Sequence, residues 1–359
     1  MPDLSRRSFG LAAAGLTLAF GAAAGPRPQA QPIDEGMFVD INGQPQWVTV
    51  RGRDRANPVL LWLHGGPGIA MSGQAPLFAS WEKDFTIVQW DQPGGGATYA
   101  RNGPEGQGEL SIARYVRDAT AVAEWACRHL GCRKLVVMGT SWGTLLGVEL
   151  AHRRPDLVSV YVGAAQVVDG ARGTRIGWEA ALASARGRGD QAAIAELEKV
   201  GPGPYDRFED FIAHQKYVNP PGQKSSPEEA AAIAAAGKLL AAPAPADARY
   251  VARDLPKTDG LKGFLDTQRA MFKPTAAWRA EDLGLEFEAP MVFFQGSDDL
   301  NTPTQLVREY AAKIHAPVKR LEIVPGAGHL VVVFHDQLLA LLDQDVRPLA
   351  LRWAPGRRG

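Results

Sequence analysis

Short runs dominated by apolar residues recur along the chain at 59–63, 86–90, 135–138, 158–162, 291–294 and 320–324, and stretches with helical spacing separate them. Solid apolar runs, as opposed to strict alternation, are what strands buried on both faces require, so they predict a mostly parallel sheet with crossover helices. Ahead of them, residues 37–50 alternate apolar and polar around Asn42-Gly43, which predicts an antiparallel hairpin. The strand signal disappears from about 167 to 280, where Ala, Glu, Lys and Gln are interrupted by Gly-Pro-Gly-Pro at 201–204, by Pro220-Pro221 and by an Ala/Pro stretch at 241–246. The pattern therefore predicts a doubly wound α/β domain, residues 31–166 and 281–359, with a helical cap inserted at 167–280. Such an insertion lies at the carboxyl ends of the strands, where open α/β sheets bind ligands. The Ala-rich part at 225–236 is expected to be poorly ordered.

One junction between a strand and a helix carries a specific motif. Gly139-Thr140-Ser141-Trp142-Gly143 fits G-x-S-x-G, with an apolar run before it and a helix-compatible stretch after it. On a tight strand-to-helix turn a serine is held in a strained conformation that presents its hydroxyl outside the sheet. Glycines two positions before and after leave room for that turn. The context makes the motif informative, since short patterns with two glycines arise by chance in a chain with 39 of them.

A serine hydroxyl needs an imidazole to take its proton and a carboxylate to orient that imidazole. Both follow in chain order at strand ends. Gln295-Gly296-Ser297-Asp298-Asp299-Leu300-Asn301-Thr302-Pro303 follows one apolar run, and Pro325-Gly326-Ala327-Gly328-His329 follows the next. Asp298 and Asp299 are both candidates for the acid; the stretch resembles the G-x-x-D followed by x-x-T/V-P of serine hydrolases with this chain order, and that resemblance, through Gly296 and Thr302-Pro303, implies Asp299 as the acid and Asp298 as a turn former. His329 is the candidate base, and His152, His214, His315 and His335 are read as structural. The oxyanion requires N–H donors. The backbone N–H of Trp142, at the start of a helix, is one candidate. The other is Gly66, with Gly65 as the alternative, in His64-Gly65-Gly66-Pro67-Gly68 after the first buried strand. His64 is expected to brace this loop.

These stretches together, His-Gly-Gly-Pro-Gly, then Asp91-Gln92 with glycines at 94–96, then Gly-Thr-Ser-Trp-Gly-Thr, resemble the proline iminopeptidase family of α/β-hydrolases. The match runs from about 58 to 146 and again from 293 to 329. The resemblance implies an α/β-hydrolase fold, Asp91 as a support of the active-site loop, and removal of an N-terminal residue, typically proline, through an acyl-enzyme without metal or organic cofactor. The chain departs from the family in two places. Asp91-Gln92-Pro93-Gly94 lacks the arginine of the family's Asp-Gln-Arg-Gly. The acidic and aromatic cap pattern that binds the substrate's free amine is missing after Val167, and Glu179, Asp206, Glu209 and Asp210 read as solvated helix carboxylates. A carboxylesterase or lactonase on the same fold is therefore the alternative, and a ligand-binding protein that has lost turnover is a further one. A carboxylate aimed at the site would favour the aminopeptidase, because a free α-amine is cationic below a pKa of about 8.

Charge and composition narrow the partners. Lys plus Arg equals Asp plus Glu at 39 each in 359 residues, so no global field favours nucleic acid, and the expected partner is a small molecule or short peptide. Cys127 and Cys132 are too few for disulfide stapling and are expected as free thiols near a helix end, because a bridge would need that helix to break. No spacing of ligand residues suggests zinc. Ser5-Arg6-Arg7-Ser8-Phe9, a Gly/Ala/Leu run and Ala22-Ala23-Ala24 predict a twin-arginine signal over residues 1–30. The run is shorter than the ~20 apolar residues of a spanning helix. The expected route is the twin-arginine export machinery, with a mature periplasmic or secreted protein that has no stable membrane span.

Overall fold

The structure, a computed structural model, describes residues 30–218, 226–241 and 260–355. The predicted export signal lies outside the described residues. Strands β1 (Ile33–Ile41) and β2 (Gln44–Gly52) form the expected hairpin, longer than the alternation indicated. Asn42 and Gly43 both have positive φ, 52° and 85°, which is what a two-residue turn between twisted strands demands. The apolar runs become β3 (Val59–Leu63), β4 (Thr86–Trp90), β5 (Leu135–Thr140), β6 (Val158–Ala164), β7 (Met291–Gly296) and β8 (Lys319–Val324). They join the hairpin in one sheet of order β1-β2-β4-β3-β5-β6-β7-β8. All pairs from β4 to β8 are parallel, whereas β1-β2 and β2-β4 are antiparallel. The fold is the mostly parallel doubly wound sheet that the sequence predicts.

Every residue of β3, β4, β6 and β7 is buried, so their predominantly apolar sequences reflect cover on both faces. β8 differs: as an edge strand it leaves Lys319 and Arg320 exposed. A short helix, α1 (Gly96–Asn102), follows the loop after β4. On one face lie α2 (Ile112–Leu130), α3 (Trp142–Arg153) and α9 (Thr304–Lys313), whose apolar stripes join the larger core with sheet residues such as Leu61, Val137 and Phe293. On the other, Trp62, Phe78, Trp81, Met138 and Phe294 pack with α10 (His335–Leu341). Helix α2 is capped by Ser111, whose hydroxyl accepts the Arg114 N–H, and it ends at Gly131 in the left-handed region. Cys127 in the last turn of α2 and Cys132 just past its end are free and buried, with sulfurs 3.1 Å apart.

The insertion between β6 and β7 holds α4 (Gly170–Arg188), α5 (Gln191–Val200), α6 (Phe208–Val218), α7 (Pro227–Ala241) and α8 (Gly260–Ala277). Its two ends are stitched together, for Ala280 N–H donates to the Val168 carbonyl at 2.7 Å and Gly170 N–H to the Trp278 carbonyl at 3.1 Å. Of the stretch 225–236, expected to be poorly ordered, residues 227–236 are helical: alanine is the best helix former, and α7 buries Glu229 and Ala236 against the Ser72–Phe78 and Val331–Val333 turns. Among the described residues no helix is long and apolar enough to cross a membrane.

Candidate active site

Ser141 stands between β5 and α3 with φ 50° and ψ −120°, a combination that costs a non-glycine residue about 1–3 kcal/mol. The turn is held because its surroundings admit no other path. A Cβ on Gly139 would stand 2.5 Å from the Gly143 carbonyl oxygen, and one on Gly143 would stand 2.0 Å from the Leu63 carbonyl oxygen. The elbow is thus pressed into β3, and glycine at both positions is a matter of space.

His329 and Asp299 reach the serine from the ends of β8 and β7. Ser141 Oγ lies 2.9 Å from His329 Nε2, and His329 Nδ1 lies 3.0 Å and 3.1 Å from the two oxygens of Asp299. With Nδ1–H donating to the carboxylate, Nε2 is left as the acceptor for the serine proton. Burial alone would lower the histidine pKa, but the neighbouring carboxylate outweighs it and holds the ring above its ordinary value. Burial likewise pushes Asp299 up, and the imidazole with the Thr302 hydroxyl and N–H overcomes it, leaving the acid below the usual carboxylate range. Asp299 Oδ1 accepts the N–H groups of Asn301 and Thr302, and Oδ2 accepts the Thr302 hydroxyl at 2.6 Å, which gives the Thr-Pro after the acid its structural reason. Asp298 is exposed and accepts the Ser297 hydroxyl, consistent with a turn residue.

The glycine loop after β3 faces the elbow. Gly65 borders the serine closely, since a Cβ there would meet Ser141 Cβ at 3.3 Å, and Gly66 and Trp142 both line the cavity at Ser141. Trp142 is the first residue of α3, where N–H groups have no intrahelical acceptor and the helix dipole favours negative charge. His64 accepts the Gln92 N–H on Nε2, so its Nδ1 carries the hydrogen that goes to the Gly65 carbonyl, 2.7 Å away. Burial lowers its pKa to about 4, so it is a neutral brace. Asp91 does not touch the serine. Its Oδ2 accepts from the Ser72 hydroxyl and the Ala97 N–H, tying loop 91–97 together, and burial raises its pKa to about 6.

Three further residues belong to this constellation. Gln92 donates to the His64 carbonyl and accepts the Trp142 indole N–H, joining the glycine loop to the residue after the serine. Gln295, fully buried at the end of β7, donates to Asp299 Oδ2 and accepts the Gln166 N–H. A glutamine closing an otherwise apolar strand is a readable signal, because a buried amide must find partners. Asn301 Nδ2 lies 3.1 Å from His329 Nε2, and its Oδ1 accepts from Gln215 of α6, so Asn301 links His329 to the inserted helices. Neither Gln92 nor Asn301 carries a signal beyond the motif around it.

Two cavities meet at Ser141 and Gly66. One, of about 130 Å³, is walled by α4, α6 and α8 and by neutral polar groups including Gln166, Gln215, Gln268, Asn301 and Thr174. Its single carboxylate, Asp169, is engaged: it caps α4 through the Arg172 N–H and lies 3.6 Å from Arg279 Nε. The other, of about 280 Å³, is predominantly apolar. Of the four cap carboxylates considered from sequence, Glu209 and Asp206 pair with Arg269 and Lys273 on α8, and none of the four lines either cavity. Among the described residues no cluster of three His, Cys, Asp or Glu side chains could hold a metal.

Comparison with known proteins agrees with this fold. Residues 58–201 match the family described as the alpha/beta hydrolase fold. The chain is 24% identical over 314 residues to a probable aminopeptidase, YbaC, of Bacillus subtilis (strain 168), covering 87% of this chain and 96% of that protein. It is 29% identical over 136 residues to a probable proline iminopeptidase of Streptomyces coelicolor, covering 38% of this chain and 41% of that one. A solved structure of a proline iminopeptidase-related protein from Thermus thermophilus superposes with a TM-score of 0.59 at 16% identity, covering 88% of this chain and 99% of that one. A parallel sheet with its serine elbow between β5 and α3, set beside these likenesses, leads to one conclusion: the chain has the α/β-hydrolase fold and resembles the proline iminopeptidases.

Proposed function

We propose that the protein is an exported serine hydrolase that works by acyl transfer. The observation that carries the reading is the unbroken run from Ser141 Oγ through His329 to Asp299. His329 Nε2 takes the serine proton as Oγ attacks a carbonyl carbon, and the N–H groups of Trp142 and Gly66 hold the oxyanion. The imidazolium, steadied by Asp299, then protonates the leaving group. Water attacks the acyl-enzyme by the same route in reverse and returns the proton to Ser141. A binding protein without turnover would have no use for this aligned set.

Removal of an N-terminal residue is supported by the likeness to a probable aminopeptidase and a probable proline iminopeptidase. A second reading, a carboxylesterase or lactonase, is favoured by one observation: the only carboxylate lining the cavities at Ser141 among the described residues is Asp169, which already serves Arg279 and α4. A cationic α-amine would find no free counter-charge there. Labelling by a fluorophosphonate, lost in Ser141→Ala, tests the serine chemistry, and turnover of proline p-nitroanilide beside p-nitrophenyl acetate separates the two readings. Export rests on the twin-arginine pattern at 5–9 and the alanines at 22–24. N-terminal sequencing of protein recovered from the periplasm or medium is expected to begin near Gly25, and retention of Met1 would refute cleavage.

A further inference from the structure

The larger cavity at the serine has the chemistry of a hydrocarbon site. Trp62, Met71, Phe78, Val333 and Ala236 of α7 line it, together with Ser141 and His329. Among the described residues lining it there is no Asp, Glu, Lys or Arg. His335 lines it too, its ring centre 4.9 Å from that of Trp81 with the rings tilted by 34°, and burial keeps its pKa below the ordinary value, so it adds no charge near neutrality. Ile69 and Leu330, also in the lining, are 45% and 54% exposed. A single exposed aliphatic side chain is ordinary. Two lining one cavity that also holds a nucleophile are surface that a ligand chain would cover.

We infer that this chamber takes an unbranched apolar chain of a neutral ester, so that the substrate is a medium-chain ester and not a free N-terminal amino acid residue. The inference rests on the serine-hydrolase reading above and deepens it. Ser141 and Gly66 line both cavities, which places the scissile carbonyl at their junction, the chain in the apolar chamber and the other half of the ester among the neutral amides of the smaller cavity. The reaction is hydrolysis. The Ser141 Oγ–carbonyl carbon bond forms, the carbonyl carbon–alkoxy oxygen bond breaks, and the serine proton passes through His329 to the leaving oxygen. Water then supplies hydroxyl to the acyl carbon and a proton back to Ser141, giving one acid and one alcohol. The chamber's free volume of about 280 Å³ is many times what a single water needs, so a chain of several carbons fits it.

Two ester series test this on the whole protein. In one, p-nitrophenyl esters run from acetate through butyrate and hexanoate to octanoate and dodecanoate; in the other, acetates of straight-chain alcohols run over the same lengths. The expected result is a rise in kcat/KM of up to about fourfold per methylene in one series until the chain outgrows the chamber, and the series that rises says which half of the ester occupies it. Ala236→Phe, which fills the chamber from α7, is expected to reduce the hexyl-to-acetyl ratio by about tenfold or more. Ile69→Ser, at the exposed rim, reduces the same ratio with little demand on folding. Fluorophosphonate labelling of Ser141 is read in parallel. Labelling with flat or falling profiles in both series overturns the chamber assignment alone, whereas absence of labelling overturns the serine-hydrolase reading beneath it.

Discussion

The indole N–H of Trp142 donates to Gln92 Oε1 at 3.1 Å, while the same amide donates through Nε2 to the His64 carbonyl at 3.0 Å. One buried side chain therefore spaces the two backbone segments that would offer N–H groups to an oxyanion. Gln92→Leu keeps the volume and leaves both partners buried without a bond, at about 1–3 kcal/mol each. The expected outcome is a fall in kcat of about tenfold or more, since amide donors act only when already in place, with KM little changed. Steady-state kinetics on a small ester checks it, and a rise in KM alone would move Gln92 from the oxyanion side to substrate binding.

Ser141→Ala is expected to lower kcat by about 10⁴ or more, because the members of such a unit fail together. Alanine at φ 50° inherits the same backbone strain, so the urea midpoint should stay close to that of the parent. Near-parental turnover in this variant would remove Ser141 from the mechanism.

His329 must be neutral to accept the serine proton, and its pKa lies above the ordinary histidine value because the Asp299 carboxylate outweighs burial. Activity is therefore full above that pKa and lost as pH falls through it, with a midpoint in kcat/KM above ~6.5. Asp299→Asn removes the charge, so the midpoint moves to lower pH while the plateau falls by about 10⁴, the loss known when the imidazole is left in the wrong tautomer. A profile indifferent to Asp299→Asn would sink the pairing. His64, held near 4 by burial, contributes no second limb in this range.

Gly143→Ala places a methyl group 2.0 Å from the Leu63 carbonyl oxygen, a backbone atom that cannot swing aside. The expected destabilisation exceeds about 4 kcal/mol, or the variant fails to fold. Gly73→Ala is the control: nothing lies within 4 Å of a Cβ there, and its urea midpoint should match or exceed the parent's.

The sheet is legible where burial on both faces favours runs of apolar residues, as in Val59–Leu63 and residues 291–294 of β7. The hairpin is legible because Asn42-Gly43 suits positive φ at both positions. Ser141, Asp299 and His329 can be found because each closes a strand run and has glycine or Thr-Pro beside it. The roles of Gln92 and Asn301 cannot, since an amide's partners are chosen by the packing of distant segments: Asn301 reaches Gln215 from another helix. The order of α7 is hidden because an Ala-rich stretch without a broad apolar stripe resembles a linker, although its buried Glu229 accepts the Gly328 N–H beside His329 and fixes the helix against the site.

The bonds between Val168 and Ala280 and between Gly170 and Trp278 close the inserted helices into a loop whose two ends meet at one point of the sheet. The inserted helices thus leave and rejoin the rest of the chain at one place, and β5, β7 and β8, which lead to Ser141, Asp299 and His329, lie outside the insertion. The clasp works as a socket: a helical insert from another such protein, joined at the same two residue pairs, would present a new substrate preference to an unchanged serine.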